Sequence, residues 1–143
     1  MSFVSTKGRY GLRVMIDLAK NNTGEYIPLN DIAKRQAISE KYLESIVGTL
    51  SRNGLLISLR GKGGGYKLAK CPEEYTILEI LKCIEGPLAP ITCLEKEVND
   101  CSRAAECNTL SMWEDFYKMV KDFFGSRTLA DLVIEPGYSD FVI

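Results

Sequence analysis

The chain has 143 residues, 45% of them apolar, a formal net charge of −1 and no histidine at all. That length suits one domain, or one domain with an appended arm, and its modest core would gain stability from dimerisation. No run of eighteen apolar residues suggests a membrane span, and no general-base histidine, nucleophile signature or nucleotide motif points to an enzyme.

Ser5 is placed to cap a helix that runs to about Lys20, with Tyr10, Val14 and Leu18 on its apolar face and Asp17 interrupting that face. Asp17 and the lack of a cleavage site also argue against a secretory leader. Asn21 to Gly24 reads as a turn, and Glu25 to Pro28 as a short extended piece. A second helix spans about Leu29 to Gln36, Ala37 and Ile38 turn the chain, and Ser39 caps a third. The third turns Tyr42, Leu43, Ile46, Val47 and Leu50 inward and stops at Gly54. Two helices around a short turn are a helix-turn-helix signal.

Leu55 to Arg60 and Tyr66 to Lys70 then alternate as strands around Gly61-Lys62-Gly63-Gly64-Gly65. Two strands about a glycine-rich tip predict a β-hairpin. These glycines lead into a strand, whereas a phosphate-binding loop needs Gly-Lys-Ser/Thr at the start of a helix. Helix-turn-helix followed by hairpin is the order of a winged helix. Thr76 caps a further helix over Ile77 to about Ile84, ended by Gly86-Pro87. Pro87 to Glu106 reads as an irregular loop. A long helix follows from about Thr109 to Phe124, then one turn over Leu129 to Val133 and an irregular tail from Glu135 to Ile143. The fold class is therefore mainly α with a small β-wing. A winged helix-turn-helix domain over 1–86 is followed by a cysteine-bearing sensor loop over 87–108 and a dimerisation helix with tail over 109–143.

The small net charge hides an asymmetry, since residues 1–70 carry twelve Lys/Arg against five acids, and the remainder carries the excess of acids. A basic half joined to an acidic half suggests polyanion binding at one end. The third helix would enter the major groove by its first turns, which carry Ser39, Glu40, Lys41, Tyr42 and Glu44. Lys41 suits a phosphate or a guanine edge, and Glu44 either the amine of cytosine or a neighbouring base on the protein surface. At the wing tip Arg60, Gly61, Lys62 and Gly63 suit a phosphate or the minor groove. Ser5, Thr6, Lys7, Arg9 and Tyr10 offer hydroxyls, N–H groups and charge to phosphates.

Two apolar seams run along the long helix. One is Trp113, Tyr117, Val120 and Phe124, and the other is Met112, Phe116, Met119 and Phe123. A face that wide exceeds what one small domain covers. One seam is expected on its own subunit and the other on a partner, so that Trp113, Phe116, Tyr117, Val120, Phe123 and Phe124 form the dimerisation set.

Cys93, Cys101 and Cys107 are spaced C-x7-C-x5-C within the loop region, and Cys71 and Cys83 bring the total to five. An odd number without scaffold spacing fits a reducing cytoplasm. Three thiolates on one loop suit an iron–sulfur cluster, zinc or copper(I), or plain thiol redox chemistry. Zinc would need a fourth ligand. Asp100, Ser102, Glu106 and Asn108 lie near enough to offer an oxygen, and spacing does not choose among them.

Three segments carry a resemblance: STKGRYGLRVMIDLA (Ser5 to Ala19), YLESIVGTLSRNGLL (Tyr42 to Leu56) and RGKGGGY (Arg60 to Tyr66). They resemble the Rrf-two (Rrf2) family of bacterial regulators over about residues 2–133. The resemblance implies a homodimeric winged-helix repressor or activator, joined through the long helix, on near-palindromic double-stranded operators. It places base or wing contacts at Lys41, Glu44 and Arg60. It also implies an iron–sulfur cluster, of the two-iron two-sulfur type, on Cys93, Cys101 and Cys107, as in the cluster-bearing branches. The chain departs from those branches at Leu110, where one has a histidine ligand, and at Arg9, where another has a carboxylate. It also has seven residues rather than five in the first cysteine spacing. The fourth ligand stays open. A cluster-free branch of the family instead responds to thiol oxidation or to a cysteine-biosynthesis enzyme.

Overall fold

The computed structural model describes residues 3–96 and 104–133. Three helices open the fold: α1 (Thr6–Lys20), α2 (Leu29–Gln36) and α3 (Glu40–Arg52). A hairpin of β1 (Leu56–Leu59) and β2 (Gly65–Leu68) follows, then α4 (Ile77–Glu85) and α5 (Leu110–Gly125). The strands are shorter than the alternation predicts. Arg60 belongs to the tip, and Ala69 and Lys70 turn away so that their N–H groups meet the Tyr75 hydroxyl.

Local chemistry sets the helix starts. The Ser5, Ser39 and Thr76 side chains accept from the N–H groups of Gly8, Tyr42 and Glu79 at 3.2, 3.1 and 3.0 Å. Each hydroxyl satisfies an amide that has no partner inside its helix. Ala37 closes α2 in the left-handed region with φ of 55°, and the Ile38 amide returns to Ala33 O at 3.1 Å. That tight reversal sets α2 and α3 as the two helices of the helix-turn-helix.

The hairpin is antiparallel, with Leu56 opposite Leu68 and Leu59 opposite Gly65. Ile27 adds a short third rung, its N–H and C=O both bonded to Tyr66 at 2.9 Å. The extended piece before α2 thus anchors the base of the wing. Gly65 permits this approach, because a Cβ there would strike Ile27 O.

One core lies inside these layers. Val14, Met15 and Leu18 of α1 meet Ile32 of α2, Leu43, Ile46, Val47 and Leu50 of α3, Leu56 and Leu68 of the wing, and Ile80 and Leu81 of α4. Two buried polar groups sit among them. Asp17, which interrupts the apolar pattern of α1, is 3% exposed. Tyr75 is fully buried; its hydroxyl donates to Leu55 O at 2.6 Å and accepts from the amides of Ala69 and Lys70. Burial pushes its phenol pKa up. Leu129, on the stretch after α5, is also fully buried. Its N–H bonds Tyr75 O, and Arg127 O accepts from Ile77, both at 2.9 Å. The chain after α5 therefore returns to the core.

Candidate nucleic-acid interface and sensor loop

α3 buries one face and leaves Glu40, Lys41, Tyr42 and Glu44 exposed on the other, with Ser39 exposed at its cap. The wing tip exposes Arg60, Gly61, Lys62 and Gly63. Between helix and wing lies a cleft of about 850 Å³. Glu40, Glu44, Arg60 and Gly61 line it together, so four predicted interface residues converge there. Lys41, Lys62 and Gly63 stay exposed without lining it.

The same cleft contains residues that pattern reading does not reach: Ser51, Arg52, Ser58 and Leu59. Arg52 and Ser51 lie at the far end of α3, about two turns beyond the stretch that groove geometry singles out. Their signal in the sequence is the helical spacing Glu44, Gly48, Ser51, Arg52, which continues the face begun by Glu40. Ser51 Oγ is buried without a hydrogen-bond partner among the described residues.

Lys7 is half-buried and its charge acts on Cys83 of α4; the other four α1 residues fall into three groups. Thr6 Oγ1 accepts from Arg9 Nη2 at 3.2 Å, and both side chains are exposed. Tyr10 meets Tyr42 edge-on with ring centroids 5.6 Å apart, while the Arg13 guanidinium lies 5.2 Å from the Tyr10 ring. Tyr42, expected on the inward face of α3, is instead exposed, because its ring packs edge-on against Tyr10 at the surface rather than in the core. Ser5 is held by Glu85 of α4, whose Oε2 accepts from the Ser5 amide at 2.9 Å and whose Oε1 accepts from the Ser5 hydroxyl.

The cysteine-bearing stretch leaves α4 at Gly86 and Pro87. Cys93 is half-buried in a short 3-10 turn, Thr92–Leu94. Cys107 is exposed just before α5, with Sγ 3.5 Å from Thr109 Oγ1. None of the described cysteines is in a disulfide. Cys101, Asp100 and Ser102 lie outside the described residues, as does the tail from 134 onward; Glu106 and Asn108 are exposed. Among the described residues no group of three Cys, Asp or Glu is placed to hold a metal. Cys83, on α4, points its thiol at Thr49 O, 3.8 Å away, and burial raises its pKa.

The two seams of α5 face different surroundings. Val120 and Phe124 pack on the core, and Trp113 and Tyr117 are half-buried on the same side. Met112, Phe116, Met119 and Phe123 are 53, 42, 67 and 52% exposed. No helix among the described residues is long and apolar enough to cross a membrane.

Comparison with known proteins agrees with the fold. A family model described as Rrf2, an iron-dependent transcriptional regulator, matches residues 4–135. The transcriptional regulator IscR of Erwinia tasmaniensis is 35% identical over 130 residues, covering 91% of this chain and 78% of that protein. Among solved structures, CymR of B. subtilis, described as the global cysteine regulator, superposes with a TM-score of 0.73 at 38% identity, covering 93% of this chain and 97% of the other. IscR of T. potens gives 0.71 at 33% identity, covering 96% and 95%.

Proposed function

The chain belongs to the Rrf2 family of transcriptional regulators, and from that premise we propose a cytoplasmic homodimer that binds a near-palindromic operator and senses iron–sulfur or redox status at its cysteine loop. The relatives are named as regulators, not enzymes. The observation that carries the operator reading is the shared cleft of α3 and the wing, with Glu40, Glu44, Arg52 and Arg60 lining it. Lys41, Arg60 and Lys62, with Lys7 and Arg9 at the start of α1, neutralise phosphates and give affinity its salt dependence. Glu44 accepts from a cytosine amine and contributes to sequence choice. The exposed seam of α5 joins the two protomers and sets the spacing of the half-sites.

The donor chemistry of the loop fits a cluster. Cys93 and Cys107 lie outside any disulfide at opposite ends of the loop, thiolates suit iron–sulfur centres, and the chain has no imidazole to compete. Cys93, Cys101 and Cys107 would hold it, with an oxygen from a residue such as Glu106 or Asn108 open as the fourth ligand. When bound, the group supplies one-electron redox chemistry and sensitivity to oxidants. The residues of the chain hold the loop between α4 and α5, where its state acts on the DNA-binding half with a coupling of roughly 1–3 kcal/mol.

The likeness to CymR favours a second reading, in which the thiols themselves respond to oxidation, or a cysteine-biosynthesis enzyme binds, without a cluster. Protein purified without oxygen separates the two. The first reading expects a brown protein with iron and acid-labile sulfide, both lost in Cys93→Ala, Cys101→Ala and Cys107→Ala. Colourless, iron-free protein that still binds a selected duplex supports the second. No preference for any duplex over random fragments sinks the operator reading itself.

A further inference from the structure

The start of α1 carries the phosphate contacts assigned above, and an acid of the same chain sits on it. Glu85 is the last residue of α4. Its carboxylate accepts from both the amide and the hydroxyl of Ser5, while the same hydroxyl accepts from Gly8 N–H at 3.2 Å. The contact spans eighty positions in sequence. It is seated in a groove that only glycine leaves open. A Cβ on Gly8 would come within 2.8 Å of Glu85 Oε1, and one on Gly11 would strike the side chain of Ile84. The last turn of α4 is therefore pressed into α1 at two adjacent points.

An anion at a helix start is favoured by the exposed amides and the helix dipole. A carboxylate and a phosphate oxygen compete for the same donors there, and they repel each other. Ser5, its donor groups held by Glu85, is adjacent to Thr6 and Lys7 and one turn from Arg9. Glu85 is followed directly by Gly86, at φ of 82°, and Pro87, where the chain leaves the helix for the cysteine loop. The carboxylate thus stands at the joint between the loop and the phosphate-facing end of α1.

We propose that Glu85 is a positioning residue that weakens operator binding by occupying the Ser5 donors in place of a phosphate, so that its withdrawal strengthens the grip of α1 on DNA. This rests on the operator reading of the α1 start. The loop gains a direct route to affinity, because any movement at Gly86-Pro87 acts on the turn that bears the carboxylate.

The test uses the full-length protein and a duplex of roughly 30 base pairs selected by the parent protein from a random library, long enough for two half-sites. Glu85→Ala is expected to tighten Kd by about three- to tenfold, and to steepen the dependence of log K on log salt by about 0.9 for each phosphate gained. Glu85→Gln, which keeps the shape and one acceptor oxygen but drops the charge, is expected between parent and Glu85→Ala; it decides the matter if the alanine variant does not fold. Glu114→Gln on α5 changes net charge equally, and is expected to leave the salt slope unchanged. A parent that binds while both Glu85 variants match it in affinity and slope overturns the role of Glu85 alone. Equal gains in Glu85→Gln and Glu114→Gln overturn it too, by reducing the effect to net charge. A parent that binds no duplex overturns the operator reading with it.

Discussion

Asp17 of α1 and Arg35 of α2 form a two-pronged ion pair, Nη2 to Oδ1 at 2.7 Å and Nε to Oδ2 at 3.0 Å. The Gln36 amide donates to the same carboxylate at 2.9 Å, and Arg13 of α1 reaches back to the side chain and carbonyl of Gln36. The hydrogen bond to Asp17 raises the pKa of Arg35 against the opposing cost of its own burial. The pair fixes how the helix-turn-helix stands on α1, so it belongs to the positioning of the interface as much as to stability.

Asp17→Ala removes a buried acceptor with three donors. The Arg35 side chain is 40% exposed and can rehydrate once Asp17 is gone. The loss is therefore that of charged hydrogen bonds, about 1.5–3 kcal/mol, and the urea midpoint of the variant should fall by roughly a fifth or more for a domain of this size. A change below about 1 kcal/mol in equilibrium unfolding would show that water replaces the pair without penalty.

Tyr75→Phe keeps the ring and deletes one hydroxyl. That hydroxyl serves Leu55 O and the amides of Ala69 and Lys70, which link both ends of the wing to α4. The Ala69 amide keeps its own 3.4 Å bond to Leu55 O, so the loss is that of ordinary hydrogen bonds, about 1–1.5 kcal/mol. Hydrogen exchange should speed first at Ala69 and Lys70. Uniform acceleration across α1 to α3 with the wing spared would contradict the assignment.

Ala37 holds a left-handed conformation that glycine adopts freely. Strain of about 1–2 kcal/mol for a residue with a Cβ is partly offset by the greater freedom of glycine in the unfolded chain. Ala37→Gly should therefore stabilise by about 0.5 kcal/mol, read as a rise in Tm. A fall in Tm would mean that the turn is held by contacts of the Ala37 methyl.

The two seams of α5 predict opposite phenotypes. Met119→Glu, on the exposed seam, should yield a folded monomer in sedimentation equilibrium, since a charge in a desolvated interface is costly. Phe124→Ala, on the seam against the core, should lower stability by about 3 kcal/mol or less, because the ring is only partly buried. A dimer that survives Met119→Glu places the interface elsewhere.

Cys83 should react slowly. Burial raises its thiol pKa, so the folded state favours the thiol over the thiolate. Folded pKa above unfolded means that this contribution is intact below about pH 8.5 and lost as pH climbs through the folded value. At neutral pH iodoacetamide should modify the exposed Cys107 well before Cys83, while the hydrogen bond with Glu74 raises the pKa of the exposed Cys71 as well; modification of Cys83 at the rate of Cys107 would mean that α3 and α4 separate readily.

The order of elements was legible because each boundary has a local cause. Ser5, Ser39 and Thr76 are short hydroxyl caps before apolar periodicity, and Gly54 and the tip glycines permit backbone that other residues resist. The division of α5 into two seams was also legible, since a spacing of three and four residues fixes which side chains share a face. The matching of the α3 and wing residues was legible only in part. Glu40, Glu44, Arg60 and Gly61 meet in one cleft, and Ser51 and Arg52 join them from the last turn of α3, on the face that Glu40, Glu44 and Gly48 begin.

What the sequence determined by itself was the set of elements, their amphipathic faces and the concentration of cations in the first half, because these depend on neighbours within a few residues. Tertiary structure alone decided that Asp17 is buried, that Tyr75 ties the wing to α4 and that Glu85 covers the start of α1. Each of these joins groups separated by eighteen or more residues along the chain at one of its polar ends. No periodicity encodes such a meeting; it follows from how the helices pack, and from the need of every buried polar group to find a partner.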